Sequence, residues 1–136
     1  MILRKATGKD IPQIYDLIAT ATRRGKILRR SRTDIRRALR HFWVAQEGEE
    51  LIACCALEIY NRKLAEIRSL AVDPRSQGKG IATSLVDLCL KEARRRRVYE
   101  VLAITDRENL FKRKGFSEQL HGQKALFLRP PMHGKS

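Results

Sequence analysis

Long apolar runs are missing from this 136-residue sequence. No stretch approaches the ~18 uncharged apolar residues of a membrane-spanning helix, so none is expected. The opening Met1-Ile2-Leu3-Arg4-Lys5 lacks the apolar centre and small-residue cleavage site of a secretory signal, and a cytoplasmic protein with no membrane partner is expected. Cysteine is scarce and odd in number: three thiols cannot close a disulfide framework, and Cys54, Cys55 and Cys89 read as buried thiols in a reducing compartment. His41, His121 and His133 share no ligand-like spacing with one another or with the cysteines, so no metal site is expected. Aromatic residues reach only 6% and do not alternate with the basic runs, which leaves little for a base-stacking platform. Acid is the remaining shortage, with 15 Asp and Glu against 29 Lys and Arg.

The resulting net charge of +14 attracts polyanions of any kind, phosphorylated small molecules included. It is uneven. Arg23, Arg24, Lys26, Arg29, Arg30, Arg32, Arg36, Arg37 and Arg40 face a single acid, Asp34, and Lys91 to Arg97 form a second basic run. Such runs are read equally well as solvated faces, and specific nucleic-acid binding is not expected. At this length the chain is expected to form one domain over 1–136, with 129–136 as a flexible tail.

Periodicity predicts the order βααβββαβαββ. Met1 to Ala6 is a strand. Asp10 offers a cap and Pro12 an early helical position for a helix carrying Ile14, Leu17, Ile18 and Ala21 inward. Ser31 or Thr33 can cap a second helix. Strands at 42–46, 51–59 and 64–72, joined by short polar turns, predict an antiparallel meander. Asp73-Pro74 ends the third of these. Gly78 and Gly80 then open a long helix to about Arg96, and a strand over 98–104 returns through it as a right-handed, parallel neighbour. A short helix from Asn109 to Lys114 stops at Gly115, and a hairpin of 116–120 with 124–128 closes the chain. The fold class expected is α/β: a mixed, mostly antiparallel, splayed sheet with helices on both faces.

The informative segment runs from Leu70 to Ala82. A strand ends, the chain turns, and two glycines precede a helix whose first N–H groups lack partners, which together make a cradle for a pyrophosphate. Gly78-Lys79-Gly80 meets neither the P-loop pattern nor the three-glycine dinucleotide pattern.

Gln77-Gly78-Lys79-Gly80-Ile81-Ala82 resembles the Gln/Arg-x-x-Gly-x-Gly/Ala hallmark of the Gcn5-related N-acetyltransferases, the GNAT family. Ser69 to Pro74 before it and Asn109 to Phe116 after it are similar as well. The resemblance implies the acyl-CoA N-acyltransferase fold and acetyl-CoA as cofactor. It implies a strand splayed after Ala103, with pantetheine along the backbone of Leu70 and Val72. Pyrophosphate would lie on the N–H groups of Gln77, Gly78, Lys79, Gly80, Ile81 and Ala82, with Lys79 and Arg75 adding charge, and Asn109 and Phe111 would lie on the coenzyme side.

Leu64 to Val72 and Leu28-Arg29-Arg30-Ser31 resemble more closely the acetyltransferase domain of bacterial N-acetylglutamate synthases. This implies Arg68, with Arg29 or Arg30, as carboxylate binder for an acidic amino acid, and a place in arginine biosynthesis. Glu66 resembles the strand glutamate that serves as general base in related enzymes; pairing with Arg68 is its other reading. Alternation puts Glu66, Arg68 and Leu70 on one face unless a bulge intervenes. Leu70 or Ala71 would supply an oxyanion N–H. The family's frequent tyrosine acid is matched here by Phe111, which has no proton to give. The small-molecule amine acceptor, a protein N-terminus or lysine, and a nucleic-acid- or ribosome-binding module all stay open, as does a homodimer.

Overall fold

The structure is a computed structural model describing residues 1–25 and 27–131, so Lys26, His133 and most of the expected tail lie outside the described residues. It divides into two compact units, Met1–Asp106 and Arg107–Ser136. The first holds five strands in sequence order: β1 (Ile2–Lys5), β2 (Phe42–Glu47), β3 (Glu50–Ile59), β4 (Leu64–Val72) and β5 (Glu100–Ala103). β1 to β4 are antiparallel neighbours, and β5 joins β4 in parallel. Helices α1 (Ile11–Arg23), α2 (Arg32–Arg37) and α3 (Ile81–Arg95) complete this unit. The second holds α4 (Glu108–Arg113), β6 (Gln119–Leu120) and β7 (Gln123–Lys124). The element order and the mixed, mostly antiparallel sheet agree with the sequence reading. No helix among the described residues is long and apolar enough to cross a membrane.

Strand alternation sends side chains to two separate cores. On one face Phe42, Val44, Cys54, Ala56 and Ala71 pack with Ile11, Ile14 and Ile18 of α1 and Ile35 of α2, all buried. On the other, α3 buries Leu85, Val86, Cys89 and Ala93; the Cys89 and Cys55 sulfurs lie 3.7 Å apart, and Trp43 Nε1 donates to Glu92 at 3.0 Å. Each fully buried aliphatic side chain contributes roughly 2 kcal/mol by leaving water. Burial also pushes the Cys54 thiol up to about 12, which removes it as a nucleophile.

Three local expectations need correction. Asp10 precedes α1 but does not cap it with its side chain; its carboxylate instead takes both ends of the Arg4 guanidinium, at 2.7 and 2.9 Å, and the Thr7 N–H. β5 is shorter than 98–104, because the Val98 N–H turns back to Ala93 O to close α3. The closing hairpin has two residues per strand and forms its own small sheet rather than extending the main one. His121 and Gly122, both at positive φ (54° and 77°), make its two-residue turn, the geometry that suits a tight hairpin.

Candidate active site

β4 changes phase partway along. Ala56 of β3 lies opposite Arg68 and Cys54 opposite Ala71, so β3 advances two residues while β4 advances three. Ser69 supplies the bulge, with φ at +57°. Ala71 therefore takes the face of Arg68, and Leu70 does not share it, correcting the simple alternation.

The same strand loses its other neighbour. Parallel pairing with β5 runs from Leu64–Glu100 to Ile67–Ala103 and stops there, so among the described residues no strand pairs with the edge from Arg68 to Val72, as the expected splay requires. The Ala71 N–H points to the Cys54 thiol, and the Asp73 N–H donates to Ile52 O at 2.8 Å, both toward β3. Alternation then aims the N–H groups of Leu70 and Val72 into the gap. Of the two oxyanion candidates, Leu70 has the required direction and Ala71 does not.

Beyond the gap the chain folds tightly into α3. The Asp73 carboxylate accepts from the Arg75 N–H at 2.9 Å and from its guanidinium at 2.9 and 3.2 Å, and this pairing holds it below the usual carboxylate range. Arg75 is thereby drawn back onto Asp73, whereas Lys79 is exposed just before the helix start. Gly78 and Gly80 have φ of +81° and +78°, and a Cβ built on either would meet nothing within 4 Å. Their glycine requirement is conformational. The first amide taken up by the helix is that of Ser84, bonded to Gly80 O at 3.1 Å, so those of Gly80 to Thr83 end the helix unpaired among the described residues. Open amides, positive φ and empty space fit a pyrophosphate, and the open strand edge beside them fits an extended amide-bearing arm.

Upstream of the bulge, one face of the β3–β4 hairpin gathers Glu58, Tyr60, Glu66 and Arg68. Glu58 and Glu66 lie directly opposite each other, a like-charge pair that needs compensation. Glu58 receives Arg68 at 2.9 Å and Arg30 at 2.7 Å. Arg30 is 4% exposed and further bonded to Asp34 at 2.9 Å and Ser69 Oγ at 3.1 Å, so it ties α2 to the bulge. Arg29 is exposed. Arg68 commits Nη1 to Glu58, while about a third of its side chain stays open to solvent. Glu66 pairs with Tyr60, whose hydroxyl donates to Oε1 at 2.5 Å, rather than with Arg68. Partial desolvation of the Tyr60 hydroxyl, then the hydrogen bond and charge of Glu66, push its pKa up to about 12.

Tyr60 escaped the sequence reading. Its signal was parity carried one residue past the strand end: Tyr60 follows β3 two positions beyond Glu58, and Asn61, accepting from the Lys63 and Leu64 amides at 2.8 and 3.0 Å, fixes the turn that sets the register.

Asn109 and Phe111 belong to the second unit. Asn109 is exposed on α4, and Phe111 is buried edge-to-face with Phe116, ring centres 5.1 Å apart. A cleft of about 260 Å³ lies elsewhere, between α1 and the end of β4. Its walls include Asp16, Glu50 and Asp73 against one already paired guanidinium, Arg75, which suits neither a phosphate nor a carboxylate. Among the described residues no cluster of His, Cys, Asp and Glu is placed to hold a metal.

With this geometry established, comparison with known proteins is informative. A model of the acetyltransferase (GNAT) family matches residues 11–120. An amino-acid acetyltransferase of Mycobacterium tuberculosis is 35% identical over 121 residues, covering 86% of this chain and 68% of that one. A Mycobacterium tuberculosis crystal structure in complex with CoA and NLQ superposes with a TM-score of 0.81 at 29% identity, over 98% of this chain and 77% of the other. N-acetylglutamate synthase from Neisseria gonorrhoeae, complexed with coenzyme A and N-acetyl-glutamate, gives 0.76 at 26% identity, over 84% of this chain and 27% of that much longer one.

Proposed function

Because the chain belongs to the acetyltransferase (GNAT) family and is an acetyl-CoA-dependent N-acetyltransferase acting on an amino-acid-type amine, we propose that its acceptor is the α-amine of glutamate or a similar small acidic amino acid. One observation carries this reading: Arg68, partly solvent-open, stands two residues from Glu66 on the same strand face. A guanidinium grips a carboxylate at two points, and a base beside it would meet the α-amine of the same molecule.

Acetyl-CoA supplies an acyl carbon activated as a thioester and a thiol that leaves readily. The chain's own residues do the rest. The backbone of Leu70 and Val72 extends toward the pantetheine arm, and the Leu70 N–H stabilises charge growing on the acyl oxygen. Gln77, Gly78, Lys79, Gly80, Ile81 and Ala82 hold the pyrophosphate. Glu66 accepts the proton of an ammonium that is mostly charged at neutral pH, leaving the amine nucleophilic. Arg30 fixes Glu58 and Ser69, and through them the setting of Arg68; Arg29, being exposed, contributes long-range attraction. Asn109 and Phe111 are placed on the coenzyme side by the family resemblance, and Phe111 gives no proton. The cytoplasm, a homodimer and a place in arginine biosynthesis are further elements of the same proposal.

A thiol-release assay with acetyl-CoA across the twenty amino acids tests the acceptor. Glutamate or aspartate should turn over fastest, and Arg68→Ala should raise the acceptor KM at least tenfold. Turnover of other amines with none for these two would remove the acidic acceptor and leave the family untouched. A second reading has an observation of its own. Arg23, Arg24, Arg29, Arg32, Arg36, Arg37 and Arg40 are all exposed, a field suited to an acidic protein N-terminus, so acidic peptides belong in the same screen.

A further inference from the structure

From the hairpin geometry we infer that Tyr60 is a positioning residue for catalysis, holding Glu66 Oε1 so that Oε2 alone is presented as the proton acceptor. This rests on Glu66 being the base, and the test below separates the two.

A carboxylate on a strand face can rotate about its last bond, and each rotation exchanges the oxygen offered to an incoming ammonium. The Tyr60 hydroxyl stops that exchange by donating to Oε1 at 2.5 Å. Its own backbone is fixed: the Tyr60 N–H bonds Leu64 O at 3.0 Å, and the Asn61 side chain braces the turn. Two short arms of one hairpin thus set the relation of phenol to carboxylate without help from a mobile loop.

The neighbouring charges agree with this division of labour. Glu58, directly opposite Glu66, would repel it, yet Glu58 is neutralised by Arg30 and Arg68. Glu100 of β5 is two pairs away, opposite Leu64, and Leu102, opposite Glu66 itself, is apolar. Arg62 and Lys63 lie in the turn. The phenol is therefore the direct hydrogen-bond donor to Glu66. It is not the missing general acid. Its one hydroxyl proton is already committed to Glu66 Oε1, so none is offered to a leaving thiolate.

Tyr60→Phe, which keeps the ring, should lower kcat roughly tenfold with little change in acceptor KM. The measurement uses acetyl-CoA with L-glutamate, or the amino acid turned over fastest in the screen, with melting curves to confirm folding. Glu66→Gln should lower kcat at least a hundredfold, and Tyr60→Phe added to Glu66→Gln should change nothing further, since the phenol would act only through the carboxylate. An unchanged kcat in Tyr60→Phe, or an equal loss in both backgrounds, overturns the positioning role while Glu66 stays the base. Full activity in Glu66→Gln removes the base itself, and the inference with it.

Discussion

Gly80 shows how a single residue can mislead a mutational test. From sequence it looks like a cleared space for phosphate, and Gly80→Glu like the natural challenge. Its φ of +78° changes the design, because any L side chain there is strained whether or not a ligand is near. Gly80→Ala should cost about 1–2 kcal/mol of stability, read as a lower melting temperature, together with loss of coenzyme affinity. Lys79→Glu is the cleaner probe: the side chain is exposed, the backbone is ordinary, and only the charge reverses. Calorimetric titration with acetyl-CoA should show binding weakened at least threefold while the melting temperature holds. Unchanged affinity in folded Lys79→Glu would take Lys79 out of the phosphate site.

At the scale of elements, helix ends explain both what was legible and what was not. The α4 terminus was legible because Gly115 marks it. The Gly115 and Phe116 amides close back on Lys112 and Phe111 at 3.0 and 3.1 Å, and the two phenylalanines meet across the cap. α3 ends in the same pattern, with Arg97 and Val98 closing on Arg94 and Ala93, yet the left-handed position is held by Arg97 at φ +58°. No glycine announces it. Arg97→Gly should therefore stabilise the protein by about 0.5–1 kcal/mol, seen as a rise of a few degrees in the melting temperature; a fall would show that the Arg97 side chain carries a compensating contact. The bulge at Ser69 was hidden for the same reason, since serine does not signal positive φ. The element order was readable because Asn61, Pro74, Gly78 and Gly115 each punctuate it by a known mechanism. Glu66 and Arg68 were readable from strand parity and family resemblance together. Tyr60 was not, because its role exists only once the hairpin register brings it to Glu66.

For the molecule as a whole the question is what a charge of +14 does. The described arginines between 23 and 40 are exposed except Arg30, which is spent inside the protein on Asp34, Glu58 and Ser69. Duplex and single-stranded nucleic acid should both bind no better than about micromolar at 50 mM salt, without preference, and lose most of that affinity by 200 mM. Tight binding of one form that survives the higher salt would instead establish a nucleic-acid role. Against this undirected field, the bulge in β4 imposes a sharp internal division. Leu64 to Ile67 keep step with β5, whereas Leu70 and Val72 answer to no strand on that side. The extra residue uncouples the two stretches as a slipped tooth uncouples two gears. Positions proposed to choose an acceptor can be rewritten without turning those proposed to hold the donor. A lineage carrying this strand could exchange one amine for another and inherit its grip on the coenzyme intact.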